Sequence, residues 1–213
     1  MKSNFEACLA EVLKHEGGWA DHPADPGGAT MKGVTIGTFA QFKGRKVTKG
    51  ELRNISDADL RAIYQRKYWN VVRGDDLPAG LDLVAFDAAV NSGPSRGARW
   101  LQMGLGVAAD GKVGPQTLAH AQAANVPQVI DYACNARLDF LRGLKTWPTF
   151  GKGWARRVSD VRSTAKRMAV VKSPQVTVGK HHVNETSKSE HVGGNMLTRA
   201  LAALIAWITG KGK

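Results

Sequence analysis

The chain has 213 residues, 43% of them hydrophobic and 23% charged, which suits a globular core and excludes a wholly disordered chain or a multi-span membrane protein. Thirty Lys and Arg against eighteen Asp and Glu leave a net charge of +12, a balance that favours polyanionic partners such as nucleic acid, an anionic membrane or an anionic cell wall. Two cysteines cannot staple a domain of this size, and no CxxC or HExxH spacing occurs, so neither a metal nor any other cofactor is expected.

The amino terminus lacks the apolar run of at least about seven residues that a secretory signal needs. Glu6, Glu11 and Lys14 interrupt it, so synthesis and initial retention in the cytoplasm are expected. Up to residue 172, helix start signals recur with a three-to-four spacing of apolar residues, and the fold class is mainly α. Ser3 to Glu6 has the pattern of a capping box for a first helix. Its buried stripe is Phe5, Cys8, Leu9, Val12 and Leu13, and it ends at Gly17-Gly18. Residues 17–33 then hold five glycines and two prolines, which predicts turns, and any strands are expected here and short. Thr48 to Glu51 and Ser56 to Asp59 repeat the capping pattern, the second opening a helix through Leu60, Ile63, Tyr64 and Trp69. Further helices are predicted over 79–91, 95–104, 115–124, 127–145 and 153–170. Cys8 and Cys134 both fall among apolar residues in helical segments and read as buried thiols.

Residues 137–172 hold ten basic and two acidic side chains, a local net of +8. A solvated charged face is the simplest reading of such a stretch. Residues 173–195 lack aromatic side chains and any helical period and read as a flexible linker. His181, His182 and His191 within it are expected to be solvated. Ala200 to Ile208 is nine residues without a polar side chain. As a helix, Asn195 to Gly210 would span about 24 Å, short of the roughly 30 Å hydrocarbon core. With Arg199 before it, Lys211 and Lys213 after it and Trp207 inside it, this tail (196–213) is expected to associate with a membrane rather than dock on the folded domain.

Chemistry is expected where the glycine-rich loop leaves the first helix. Glu16 stands there in the order His15-Glu16-Gly17-Gly18-Trp19. Sheltered against a ring such as Trp19 and set at a helix C-terminus, its carboxyl would hold a proton near neutrality and donate it to a leaving oxygen. On composition alone an ordinary solvated glutamate is the simpler reading. Asp25 and Thr30 follow in the same loop and could hold and activate a water, as an inverting glycosidase requires. Asp21 is a weaker candidate for that duty, and Asp25 competes with a turn-forming role before Pro26-Gly27-Gly28.

The stretch HEGGWADHPADPGGATMKGVT resembles the signature of glycoside hydrolase family 108, whose usual form is E-G-G-Y followed by N-D-P, D-P-G-G-x-T and G-I-T. Downstream, VNSGPSRGARWLQMGLGVAADGKVGPQTLAHA resembles the peptidoglycan-associated region that accompanies it, and the two cover roughly residues 5 to 170. The resemblance implies a lysozyme-like single globular domain over 1–172, its peptidoglycan-associated part at 85–170, with a glycine-rich active-site loop or small hairpin after the first helix. It implies an N-acetylmuramidase of the endolysin type that cleaves the β-1,4 bond between N-acetylmuramic acid and N-acetylglucosamine and lyses the host cell. Glu16 falls on the essential glutamate and is assigned general acid, while Asp25 and Thr30 fall on the D-P-G-G-x-T block. Their order is similar to the Glu, Asp, Thr series of phage-type lysozymes, with the threonine one place closer.

Trp19 replaces the usual tyrosine and still offers a sugar-stacking surface; Thr35 of the G-V-T block is a second substrate-binding candidate. His22-Pro23 and Met31-Lys32 also depart from the pattern. Asn91 and Gln102 could hydrogen-bond N-acetyl groups from the cleft wall or simply cross-link helices. Asp110 to Thr117 resembles a peptidoglycan-binding turn followed by a helix, with Pro115 at its first position, or is a structural turn of the same domain. Expected partners are the glycan strands of periplasmic peptidoglycan, the inner membrane through the tail, and anionic envelope surfaces through 137–172. A monomer with no specific nucleic-acid target is expected. Two rival readings are a lytic transglycosylase acting on the same bond and a non-enzymatic basic protein that binds nucleic acid or cell wall.

Overall fold

In a computed structural model of the chain, residues 4–21 and 28–172 are described, the side chains of 171 and 172 excepted. The described residues all fall within one compact unit of the chain. The linker and the apolar tail expected beyond residue 172 lie outside the described residues, as do Ser3, Asp25 and His22-Pro23. No described helix is long and apolar enough to cross a membrane.

The described residues are mainly helical, with nine α-helices and one small sheet. Helix α1 (Phe5–Leu13) buries Phe5, Cys8, Leu9 and Val12 of the predicted stripe, while Leu13 is half-buried at its end and Glu11 is buried beside Val12. Its N-cap is Asn4, whose side chain donates to Asp82 at 2.7 Å instead of capping the helix. Three short strands follow, β1 (Trp19–Ala20), β2 (Thr30–Met31) and β3 (Val34–Thr35), paired antiparallel in that order. Trp19 faces Met31 across the first pair, and Thr30 faces Thr35 across the second. Lys32 (φ 46°) and Gly33 (φ 74°) link β2 to β3. Two left-handed residues in succession are what a tight two-residue hairpin turn requires.

Helix α2 (Ile36–Lys43) was not singled out from the sequence; Thr35 caps it, its hydroxyl accepting from Thr38 N–H at 3.2 Å. Helix α3 (Lys49–Arg53) carries the reciprocal Thr48–Glu51 capping box, and α4 (Asp57–Tyr64) is capped by Ser56. A π-helical turn, Gln65–Trp69, continues α4 and delivers Trp69 to the core. There Trp69 meets Phe5 and Phe86 edge-on, at ring-centroid distances of 5.5 and 5.4 Å, the geometry aromatic pairs prefer.

Helix α5 (Leu81–Ser92) is the central element. From Leu81 to Ala89 every side chain is buried, the mark of a helix enclosed on all sides. Around it pack α1, α6 (Pro94–Leu105), α8 (Val126–Arg142) and α9 (Trp147–Lys172), while α7 (Pro115–Ala123) rests on α6. Cys8 and Cys134 are both buried, as their apolar neighbours predict.

Helices α5 and α6 approach so closely at Gly97 that a Cβ there would lie 2.8 Å from Ala89 N and 2.9 Å from Ala85 O. Helix propensity alone favours Gly→Ala by about 1 kcal/mol. Backbone crowding acts oppositely, by about 1–3 kcal/mol, and the structure makes it dominant. Gly97→Ala is therefore expected to lower the urea midpoint. A midpoint equal to or above wild type would show that the two helices can separate freely.

Candidate active site

Past Leu13 the chain tightens, with Lys14, His15 and Glu16 each donating N–H to the carbonyl three residues back. This turn sets Glu16 at the mouth of the hairpin, with its side chain 17% exposed. Glu16 Oε1 accepts from Arg157 Nη1 at 2.7 Å, joining the end of α1 to α9 across 141 residues. Its other oxygen lies against the hairpin tip: a Cβ on Gly33 would come within 2.8 Å of Glu16 Oε2 and 2.5 Å of the Tyr64 hydroxyl. Only glycine fits there, both for that approach and for its positive φ.

Tyr64 donates to Lys32 O at 2.9 Å, pinning the turn. Burial, and after it the charge of Glu16, raise the Tyr64 hydroxyl pKa far above the ordinary phenol value. The same two causes raise that of Tyr68. Both hydroxyls thus remain neutral beside Glu16.

Arg157 does not serve Glu16 alone. Its Nε and Nη2 stand 2.9 and 2.8 Å from Asp87 Oδ1. Asp87 Oδ2 in turn accepts from Arg137 Nη1 at 2.6 Å, and Arg137 Nη2 donates to Asn91 Oδ1 at 3.0 Å. Asp87 is fully buried in the middle of α5, and both arginines are nearly so. Burial by itself would push the Asp87 carboxyl up. The Arg137 and Arg157 guanidiniums outweigh it and hold the carboxyl below the usual carboxylate range. Burial likewise opposes the charge on Arg157, and Asp87 followed by Glu16 more than offsets it. The result is a buried chain of alternating charge behind Glu16.

The other residues singled out from the sequence are placed as follows. Asp25 lies outside the described residues. The Thr30 hydroxyl donates to Gly28 O at 3.3 Å in β2. Asp21 is paired with Lys49 at 3.0 Å. The Trp19 ring sits under the Arg53 guanidinium, 5.6 Å from its centroid, while the polar neighbours of Glu16 are those just described. The Thr35 hydroxyl is engaged by Thr38 as the cap of α2. Asn91 is tied to Arg137. Gln102 is buried: its amide nitrogen donates to Asp110, Lys112 and Thr117, and its oxygen accepts from Gly111 N–H. It therefore welds the Asp110–Thr117 turn to α6, the cross-linking alternative, and has no free face on a cleft wall. Among the described residues no cluster of His, Cys, Asp and Glu is arranged to hold a metal.

A cleft of about 820 Å³ runs between the end of α1, Asn91 and one face of α9. Glu16 does not line it, whereas Arg157 does, so the cleft reaches the carboxylate through the guanidinium. Half of the ten cations of 137–172 are paired with carboxylates, some in the core and some at the surface. Arg137 and Arg157 belong to the buried chain; Arg142 pairs with Asp139, and Arg162 and Lys166 pair with Asp131. Sequence reasoning missed Asp87, Arg137 and Arg157. The available signal was Asp87 itself, an aspartate inside the otherwise apolar run LVAFDAAV, because a carboxylate in an enclosed helix needs a cationic partner.

Residues 9–93 match the family model described as glycosyl hydrolase 108. The solved structure of SagA from Brucella abortus is similar, with 45% sequence identity and a TM-score of 0.70, over 78% of this chain and 95% of that chain. No curated protein matches the chain.

Replacing Asp87 with Asn leaves Arg137 and Arg157 buried without their anion, which is expected to lower stability at pH 7 by about 3–5 kcal/mol. The folded-state pKa of Asp87 lies below the unfolded value of about 3.9. Its contribution is therefore present above that value and disappears as pH falls through the folded-state pKa. Urea unfolding of wild type and Asp87→Asn between pH 2 and pH 7 should show a gap that is wide at neutrality and closes in acid. A gap that is small at pH 7 would contradict the buried charge chain.

Proposed function

The chain belongs to the glycosyl hydrolase 108 family, and from that premise we propose that it hydrolyses the β-1,4 bond between N-acetylmuramic acid and N-acetylglucosamine in peptidoglycan, with Glu16 as general acid. The observation that carries this reading is the setting of Glu16. One carboxylate at the mouth of a hairpin accepts on one oxygen from a guanidinium 141 residues away, and its other oxygen lies against a glycine tip that a tyrosine hydroxyl pins in place. A donor to a glycosidic oxygen must be held in one orientation, and this arrangement supplies it.

Protonated Glu16 gives its proton to the bridging oxygen as the bond to the anomeric carbon breaks. The carboxylate left behind faces Arg157, whose positive charge stabilises it. Arg157 acts as a positioning residue here, since it touches Glu16 rather than the sugar. Asp25 and Thr30 hold and activate the attacking water in this scheme, its oxygen bonding to the anomeric carbon while its proton passes to the Asp25 carboxylate, and Trp19 offers a ring to a saccharide. The biological role that fits is an endolysin acting on periplasmic peptidoglycan of its host, working as a monomer. Delivery to the wall is assigned to the apolar tail at the inner membrane. Lys145, Lys152, Arg156 and Arg167, the described cations of 137–172 without a carboxylate partner, supply attraction to anionic envelope surfaces, an attraction that salt weakens.

Glu16→Gln keeps an acceptor for Arg157 while removing the transferable proton. Its rate of turbidity loss on permeabilised Gram-negative cells is expected to fall by about 10²–10⁴-fold, at a temperature where far-UV circular dichroism shows the variant folded. Mass spectrometry of wild-type products should show reducing N-acetylmuramic acid ends. Undiminished lysis by Glu16→Gln would remove the glycosidase assignment of this residue, and anhydro-muramic ends would identify a lytic transglycosylase.

A further inference from the structure

The cleft beside Arg157 has a lining that glycosidic bond cleavage does not use. Gly153, Arg156, Asp160, Ser163 and Arg167 follow one another along a single face of α9. Arg156 and Arg167 are both exposed, and neither has a carboxylate partner among the described residues; Arg167 donates only to the Thr164 hydroxyl, at 2.8 Å. Eleven residues apart, they stand three turns and about 16 Å from each other on the same side of the helix. Glu11 also lines the cleft but is paired with Lys14 at 2.6 Å, and between the two arginines stands Asp160, which has no cationic partner among the described residues. At the amino-terminal end of α9, Phe150 and Trp154 lie with ring centroids 5.7 Å apart, and Phe150 is 53% exposed.

We propose that this cleft is a subsite for the acidic peptide that peptidoglycan carries on the lactyl group of its muramic acid, a specificity that rests on the muramidase reading of Glu16. Two guanidiniums rising from the same face of α9 can each take one carboxylate of a peptide laid along the helix. Guanidinium is the side chain best shaped to grip a carboxylate with two parallel hydrogen bonds. Asp160 decides between a peptide and a phosphate polymer. It repels a uniform polyanion but receives the ammonium group of a zwitterionic stem peptide. The exposed Phe150 ring adds apolar surface for alanine methyl groups. Arg157, which lines the cleft and holds Glu16, places the peptide beside the scissile sugar.

The test uses the full chain and its Arg156→Gln/Arg167→Gln double variant, both substitutions lying on exposed positions. The first probe is the free tetrapeptide L-Ala-D-Glu-diaminopimelate-D-Ala, titrated calorimetrically. Saturable binding by wild type, weakened roughly tenfold in the double variant, is expected from the loss of two charge-assisted contacts. In parallel, wild type should cleave peptide-bearing glycan strands faster than strands stripped by an amidase, and that ratio should fall towards one in the double variant. No saturable binding of the tetrapeptide overturns the proposal, as does binding that the double variant leaves unchanged. Binding of inorganic polyphosphate but not of tetrapeptide overturns it in favour of a phosphate polymer. Failure of wild type to cleave either strand type removes the muramidase reading, and the titration then decides alone whether the cleft takes an acidic peptide.

Discussion

One guanidinium, that of Arg157, holds two carboxylates that belong to different tasks: Asp87, enclosed in the central helix, and Glu16, at the edge of the site. Removing a charge from water costs several kcal/mol per ion, and attraction within the interior repays it only where geometry is good and every donor is used. The pairing is built by converging elements rather than by any local motif, and it is incomplete: Arg137 Nε and Arg157 Nη2 are buried without a hydrogen-bond partner among the described residues. The end of α1 supplies Glu16, the middle of α5 supplies Asp87, α8 supplies Arg137 and α9 supplies Arg157. Displacing any one of these helices leaves a charge of the chain without its partner in a poorly solvated place. The position of Glu16 is thereby tied to the packing of the whole helical core.

The opposite side of Glu16 is built by different means. Here the constraint is short-range and steric: a two-residue turn with both residues left-handed, a glycine with no room for a side chain, and a tyrosine whose hydroxyl holds the turn's carbonyl. The hairpin is tethered outwards as well, by Lys49 to Asp21 and by Arg53 over the Trp19 ring. These tethers are exposed and contribute little stability individually. Their effect is to limit where the turn can sit, so that a locally encoded hairpin meets a carboxylate placed by long-range packing.

This division explains what was readable from the chain. Capping at Thr48–Glu51 and Ser56, the stripe of α1, the proline opening α7 and the short strands after α1 all obey rules spanning a few residues. They were legible for that reason. Helix α2 was harder, since its segment IGTFAQFK buries only Phe39 and gives a weak apolar stripe. Glu16 could be singled out by its motif, but its partners could not, because the contact with Arg157 joins residues 141 apart in sequence. Charge counting misled in a related way. The +8 of 137–172 suggested a basic face, yet half of its ten cations are engaged by acidic side chains. Gln102 shows the same limit for a neutral residue: nothing in the local sequence says whether an amide faces a ligand or fastens a loop.

Because Arg157 also lines the large cleft, whatever occupies that cleft acts on a group already committed to Glu16 and Asp87. Its Nε and Nη2 face Asp87 and its Nη1 faces Glu16, a fork that lysine could not reproduce, since an ammonium offers a single point of charge. Stability and site geometry therefore rest on the same three nitrogens. A change that strengthened the Arg157–Asp87 contact by drawing the guanidinium inwards would withdraw Nη1 from Glu16. A change that brought it outwards would leave Asp87 under-compensated in the core. The short distances on both sides indicate that the arginine is held between these limits by α5 and α9, whose packing fixes the separation of the two carboxylates it must span.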